Sequence, residues 1–106
     1  MPRFLIIGNY APVGAKAIMS AGGTARRSAI EKMLSDVGGR VETFDFAFGT
    51  DDVYAIVDLP DQKTAAAVSL TINASGVAAT RTIVLMTPEE VDRVGQVHAN
   101  YQPPTA

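Results

Sequence analysis

The chain has no cysteine and no tryptophan, and only one histidine, in 106 residues. Without thiols, disulfide frameworks, thiolate nucleophiles and cysteine-based zinc or iron–sulfur sites are excluded. With one imidazole, a transition-metal site would need carboxylates for nearly all its ligands, so no metal is expected. No stretch approaches the roughly 18 apolar residues of a membrane span, and "MPRFLIIGNY" lacks the marks of a signal peptide. A cytoplasmic protein with no membrane partner is expected. Charge of one sign is scarce as well: nine Lys and Arg stand against eleven Asp and Glu, a formal net charge of −2. With no basic block, and only three tyrosines and four phenylalanines, the composition speaks against a nucleic-acid partner.

What is present suits one domain, placed at residues 1–98, followed by a proline-containing tail at 99–106. Phe4, Leu5, Ile6 and Ile7 form an apolar run that reads as a strand buried on both faces, closed by Pro12 and Gly14. Lys16 to Ala21 suits a short helical turn before Gly22 and Gly23. Thr24 is then a candidate N-cap. Ile30, Met33, Leu34 and Val37 follow at amphipathic helical spacing, stopped by Gly38 and Gly39.

From Val41 to Phe48 the period becomes two, which puts Phe44, Phe46 and Phe48 on one face. "GTDD", Gly49 to Asp52, has hairpin-turn composition, with Gly49 expected at positive φ, and "VYAIVDL" returns as the antiparallel partner. Gln62 to Ser75 reads as a helix closed by Gly76, and Ala79 to Met86 as a fourth strand. "TPEE" at Thr87 to Glu90 is a capping box with Pro at the first helical position, opening a helix to about His98. Pro103 and Pro104 cannot continue it.

This order of elements implies an α+β, ferredoxin-like βαββαβ fold with an extra C-terminal helix, sheet order 4-1-3-2 and both long helices on one face. Strands one, three and four are apolar on both sides, so the other sheet face needs a cover. Self-association, as a homodimer or higher oligomer, would supply it.

The stretch "GGTARRSAIEKMLSDVGGRVETFDFAFGTDDVYAIVDLP", Gly22 to Pro60, resembles the GYD-domain family, small bacterial proteins of uncharacterised function. Weaker similarity runs over nearly the whole chain, including "TRTIVLMTPEEVD". Gly49 and Asp52 correspond to the family's glycine and aspartate, while Asp51 stands at the tyrosine position. The resemblance implies a ferredoxin-like, dimeric α/β-barrel fold built from face-to-face sheets, with room for a small-molecule pocket, and no reaction. No cofactor is expected. Some dimeric α/β barrels bind haem, for which His98 would be the candidate axial ligand.

Eight strand residues span about 26 Å, a distance covered by about 17 helical residues. Counted back from Gly39, the first long helix starts near Gly22, at the end of the sheet that carries Asn9, Tyr10 and the Asp51–Asp52 turn. Arg26 continues the apolar stripe of that helix, four residues before Ile30, and Arg27 lies at its edge. Two cations in a first turn oppose the helix dipole and need compensation. An anionic ligand would provide it, helped by the free helix amides. So would a salt bridge to Asp51, Asp52 or Glu31. The glycine pair lacks the residues of a P-loop or a dinucleotide fingerprint.

Glu42 and Tyr54 are placed on the aromatic face of Phe44 and Phe46, and Arg81 is expected to neutralise Asp45 or Asp58. Two functions follow from these placements. The first is a self-associating domain that binds a small, anionic organic ligand between sheet and helices at Tyr10, Arg26, Arg27 and Tyr54. The second is a cofactor-independent monooxygenase- or isomerase-like enzyme of the dimeric α/β-barrel type, with Glu42 as base, Tyr10 or Tyr54 for orientation and Arg26 for anionic charge. His98 is a further catalytic candidate, though a histidine near a helix carboxyl end commonly answers the dipole.

Overall fold

A computed structural model describes residues 1–105. The apolar run at the amino terminus becomes β1 (Arg3–Tyr10), and the chain then forms two helices in place of one, α1 (Pro12–Ala21) and α2 (Gly23–Asp36). β2 (Arg40–Phe46) and β3 (Val53–Asp58) make the hairpin, followed by α3 (Gln62–Ala74), β4 (Ala78–Leu85) and α4 (Pro88–Val94). The four strands form one antiparallel sheet in the order β2-β3-β1-β4. This α+β arrangement is consistent with a ferredoxin-like fold.

Period-two alternation along the paired strands decides the faces. Phe4 is opposite Val57, and Ile6 opposite Ala55. These side chains lie on the face that receives Ile30 and Leu34 from α2 and Ala65 and Val68 from α3, and together they form the core. Phe4, Leu34, Val57 and Leu59 are its fully buried large side chains. The opposite face carries Leu5 opposite Ile56 and Ile83, and no helix covers it. Ile7 is buried on that face all the same, because Tyr54 and Arg81 stand beside it on the neighbouring strands.

Helix ends follow their residues closely. α2 ends in a Schellman motif: Gly39 N–H donates to Leu34 O at 2.8 Å, Gly38 N–H donates to Ser35 O at 3.1 Å, and Gly38 takes φ 80°. After α3 Gly76 also takes positive φ, 75°, and its N–H donates to Asn73 O at 3.2 Å. At α4 the capping box forms, with Glu90 N–H donating to Thr87 Oγ1 and Thr87 N–H to Glu90 Oε1, each at 3.1 Å.

Four expectations are corrected. The turn at Lys16 is part of a ten-residue helix that begins at Pro12, since proline is well suited to a first helical position and loses no hydrogen bond there. Gly14 lets this helix approach β1 and β4: a Cβ there would collide with the backbone carbonyl of Val77 and lie 2.9 Å from its side chain. Thr24 is inside α2, whose N-cap is Gly22 at φ 92° with no capping side chain. Gly49 does not have positive φ; the turn is closed instead by Ala47 N–H donating to Asp52 O at 2.8 Å. α4 stops at Val94, so His98 lies beyond it, exposed.

The hairpin also breaks its expected phase. A register shift between Val41 and Thr43 makes Glu42 a bulge residue, and Phe48 falls outside β2, fully exposed. Phe44 and Phe46 therefore face the helices, whereas Tyr54, opposite Asp45, faces the uncovered side.

The carboxyl-terminal part adds reach rather than core. Every described residue from Val91 onward is exposed, and α4 has no buried residue. The radius of gyration is 16.9 Å, against about 13 Å for a compact chain of this length.

Candidate functional site

Two carboxylates at the hairpin tip divide the local electrostatics between the two sides of the sheet. Asp52 accepts the backbone N–H of Tyr10 at 2.8 Å, and its own N–H donates to Gly8 O at 2.9 Å. These bonds tie the tip to the end of β1. Asp51 accepts Asn9 Nδ2 at 2.9 Å, Arg81 Nη2 at 3.1 Å and Tyr54 Oη at 3.3 Å. The Asn9 hydrogen bond, with the charge of Arg81 and the bond from Tyr54, holds the Asp51 carboxyl below the usual carboxylate range. Arg81 thus meets Asp51 rather than Asp45 or Asp58.

The remaining ion pairs of the sheet are equally local. Arg40 Nε stands 2.9 Å from Asp58 Oδ2, off the hydrogen-bonding axis, so that this buried oxygen has charge compensation without a well-aligned donor. Glu42 takes both ends of the Arg3 guanidinium, at 3.0 and 3.3 Å. Glu42, Tyr54 and Arg81 therefore do not meet Tyr10 and Arg26, which lie on the helix side.

Across the sheet, Arg26 Nε donates to Tyr10 Oη at 3.4 Å, and the guanidinium lies 5.5 Å from the centre of the Tyr10 ring. A cation over an aromatic face gains electrostatic attraction, on the order of 1 kcal/mol when partly shielded. It gains no countercharge. Arg3, Arg27, Arg40 and Arg81 each meet a carboxylate, with Arg27 reaching Glu31 one turn along α2 at 3.7 Å. Among the described residues, Arg26 is the one half-buried arginine with no carboxylate partner.

Open space converges on this arginine. Beneath the helices, among Ile6, Ile30, Phe44, Tyr10 and Arg26, the cavity is only about 40 Å³, little more than the volume of one water. Larger spaces adjoin it. A cleft of about 160 Å³ between α1 and α2 is lined by Tyr10, Gly14, Ile18 and Arg26. A groove of about 330 Å³ between α2 and α3 is lined by Arg26, Ile30, Met33, Ile72 and Val77. Arg27 borders a separate depression with Phe44 and Phe46. No group of three or more His, Cys, Asp or Glu side chains able to hold a metal ion is found among the described residues.

The family model of the GYD domain matches residues 4–94. The chain belongs to the GYD-domain family. The match runs from the second residue of β1 to the end of α4. Neither the curated proteins nor the solved structures give a significant match. The sequence groups Tyr10, Arg26, Arg27 and Tyr54 at one site of this GYD domain; the structure brings Tyr10 and Arg26 together, whereas Arg27 turns to Glu31 and Tyr54 lies on the other face of the sheet with Asp51. The residues the sequence does not bring forward are those of the groove and of α1. The small side chains Gly14, Ala17 and Ala21, spaced three and four apart, are the available signal for a closely packed helix there. No helix is long and apolar enough to cross a membrane among the described residues.

Because its pKa is lowered by native contacts, Asp51 contributes stability that is present above about pH 4, the unfolded value, and is lost as pH falls through the depressed native value. Thermal denaturation of the parent and of Asp51→Asn, from neutral pH to about pH 3, is expected to give a shallower acid loss of Tm in the variant. Parallel curves would refute this role.

Proposed function

We propose that this GYD domain is a self-associating binding protein for a small organic anion, held where Arg26 and Tyr10 meet. The observation that carries the reading is a half-buried guanidinium beside open, apolar-walled space, with no carboxylate to neutralise it. Tyr10 Oη already accepts from Arg26 Nε, so its proton is free to donate to a ligand oxygen. A guanidinium and a phenol at one corner suit a carboxylate, which accepts charge-assisted hydrogen bonds through two oxygens.

The catalytic alternative has less behind it. The residues lining the space beneath the helices include no carboxylate or imidazole, and that space is too small to enclose a substrate. Glu42, its base, and Tyr54, one of the two tyrosines it could use for orientation, face the other side of the sheet from Arg26. Binding at the Arg26 corner is therefore the function the geometry supports best.

Self-association rests on the uncovered sheet face. Leu5, Ile56, Ile83 and Leu85 form an apolar band there, with Ile83 43% exposed. Such a band on a four-stranded sheet is matched by a second copy of itself under twofold symmetry, as in a dimeric α/β barrel.

Titration calorimetry with benzoate and butanoate is expected to detect binding to the parent, weakened at least tenfold in Arg26→Met, with butylamine not bound. Equal affinity of parent and variant would reject the anion site. Light scattering should return a mass of at least twice the 11.2 kDa chain for the parent and a shift toward monomer for Ile83→Glu. A monomeric parent at micromolar concentration would reject the sheet-face interface.

A further inference from the structure

The groove between α2 and α3 deepens this reading, on which it rests, by giving the anion a tail. We infer that the ligand is a linear aliphatic carboxylate, its head at Arg26 and Tyr10 and its chain along the groove. The groove and the small cavity beneath the helices share Arg26, Ile30 and Ile72 in their walls. Arg26 is thus the cationic end of a continuous apolar trough formed by Ile30, Met33, Ile72 and Val77.

The hydroxyl protons along the trough are already engaged. Thr71 Oγ1 donates to Ala67 O at 2.7 Å, and Ser75 Oγ donates to Ile72 O at 2.6 Å while accepting from Val77 N–H at 3.2 Å. In the adjoining cavity, Thr80 Oγ1 donates to Asn73 Oδ1 at 3.1 Å. A sugar, a nucleoside or a polyol would find few donors or acceptors to replace those it leaves in water, which is costly. A methylene chain needs none. The side-chain donors still available to an anionic head are the guanidinium of Arg26, in the groove wall, and the hydroxyl of Tyr10, in the adjoining cavity.

Size and charge agree with this occupant. About 330 Å³ lies at the lower end of the roughly 300–1,000 Å³ typical of small-molecule sites. One cation at one end of an apolar groove complements a ligand with one anionic head and one apolar tail. The α1–α2 cleft also borders Arg26 but offers about half that volume, enough for a short branch and not for an extended chain.

The test is a calorimetric series of butanoate, hexanoate, octanoate and decanoate, all below their micellar concentrations, at one pH and ionic strength. Affinity is expected to rise about fourfold per methylene buried, the equivalent of about 0.8 kcal/mol, and to level off when the groove is filled. Alkylammonium ions of the same lengths should not bind. In Ala29→Phe, an exposed position on the groove wall, the gain from longer chains should disappear.

Short acids that bind through Arg26 with no dependence on length would overturn the groove and leave the anion site standing. Failure of every acid would overturn both. Octanoate or decanoate binding equally to parent and Arg26→Met would show adsorption of the tail without the head, and a length dependence unchanged in Ala29→Phe would put the tail elsewhere. Either result rejects the inference.

Discussion

The commitment of Asp51 to the uncovered side of the sheet is the constraint on which the rest of the site depends. The hairpin tip carries two carboxylates, and both are used for architecture. Asp52 is fixed by the Tyr10 amide, and Asp51 by Asn9, Tyr54 and Arg81. Had either been free to reach Arg26, that residue would have formed an ordinary ion pair. Because neither pairs with it, a cation is left among apolar walls, supported by an aromatic ring rather than a countercharge.

The same division organises the whole molecule. Strand alternation sends one set of side chains to the helices, where Phe4, Leu34, Val57 and Leu59 close the core. The other set makes a face with charged pairs at both ends, Arg3–Glu42 and Arg40–Asp58 at one and Arg81–Asp51 at the other. An apolar band containing Leu5, Ile56 and Ile83 lies between them. Rim charges around an apolar centre are the usual layout of an interface, in which the centre supplies affinity and the rim supplies register. The proposed ligand site and the proposed self-association surface thus fall on opposite faces of one sheet.

Much of this was legible in the residues. The strands, both long helices, the glycine stops and the capping box all follow from local chemistry that acts within a few residues of itself. The meeting of Tyr10 and Arg26 followed from matching helix length to strand length, a geometric argument that does not depend on side-chain detail. Two things escaped for physical reasons. A single extra residue at Glu42 reverses face assignment along the strand, and composition carries no mark of a bulge. The groove is formed by side chains of α2 and α3 that are far apart in sequence and are read individually as core or surface, so the gap between them has no local signal. Asp51 likewise could not be assigned to Arg81 in advance: Asp45 and Asp58 were the expected partners, and the choice turns on a strand register that the sequence does not fix.

The central claim is that the Arg26 guanidinium is the anion-binding group of this GYD domain, and NMR of its Nε–Hε pair tests it most directly. On titration with butanoate, the Arg26 Nε–Hε resonance is predicted to shift in a saturable way while the signals of Arg3, Arg40 and Arg81, already paired with carboxylates, stay in place. An Arg26 resonance that does not move, or arginine signals that all drift together without saturating, would contradict the account.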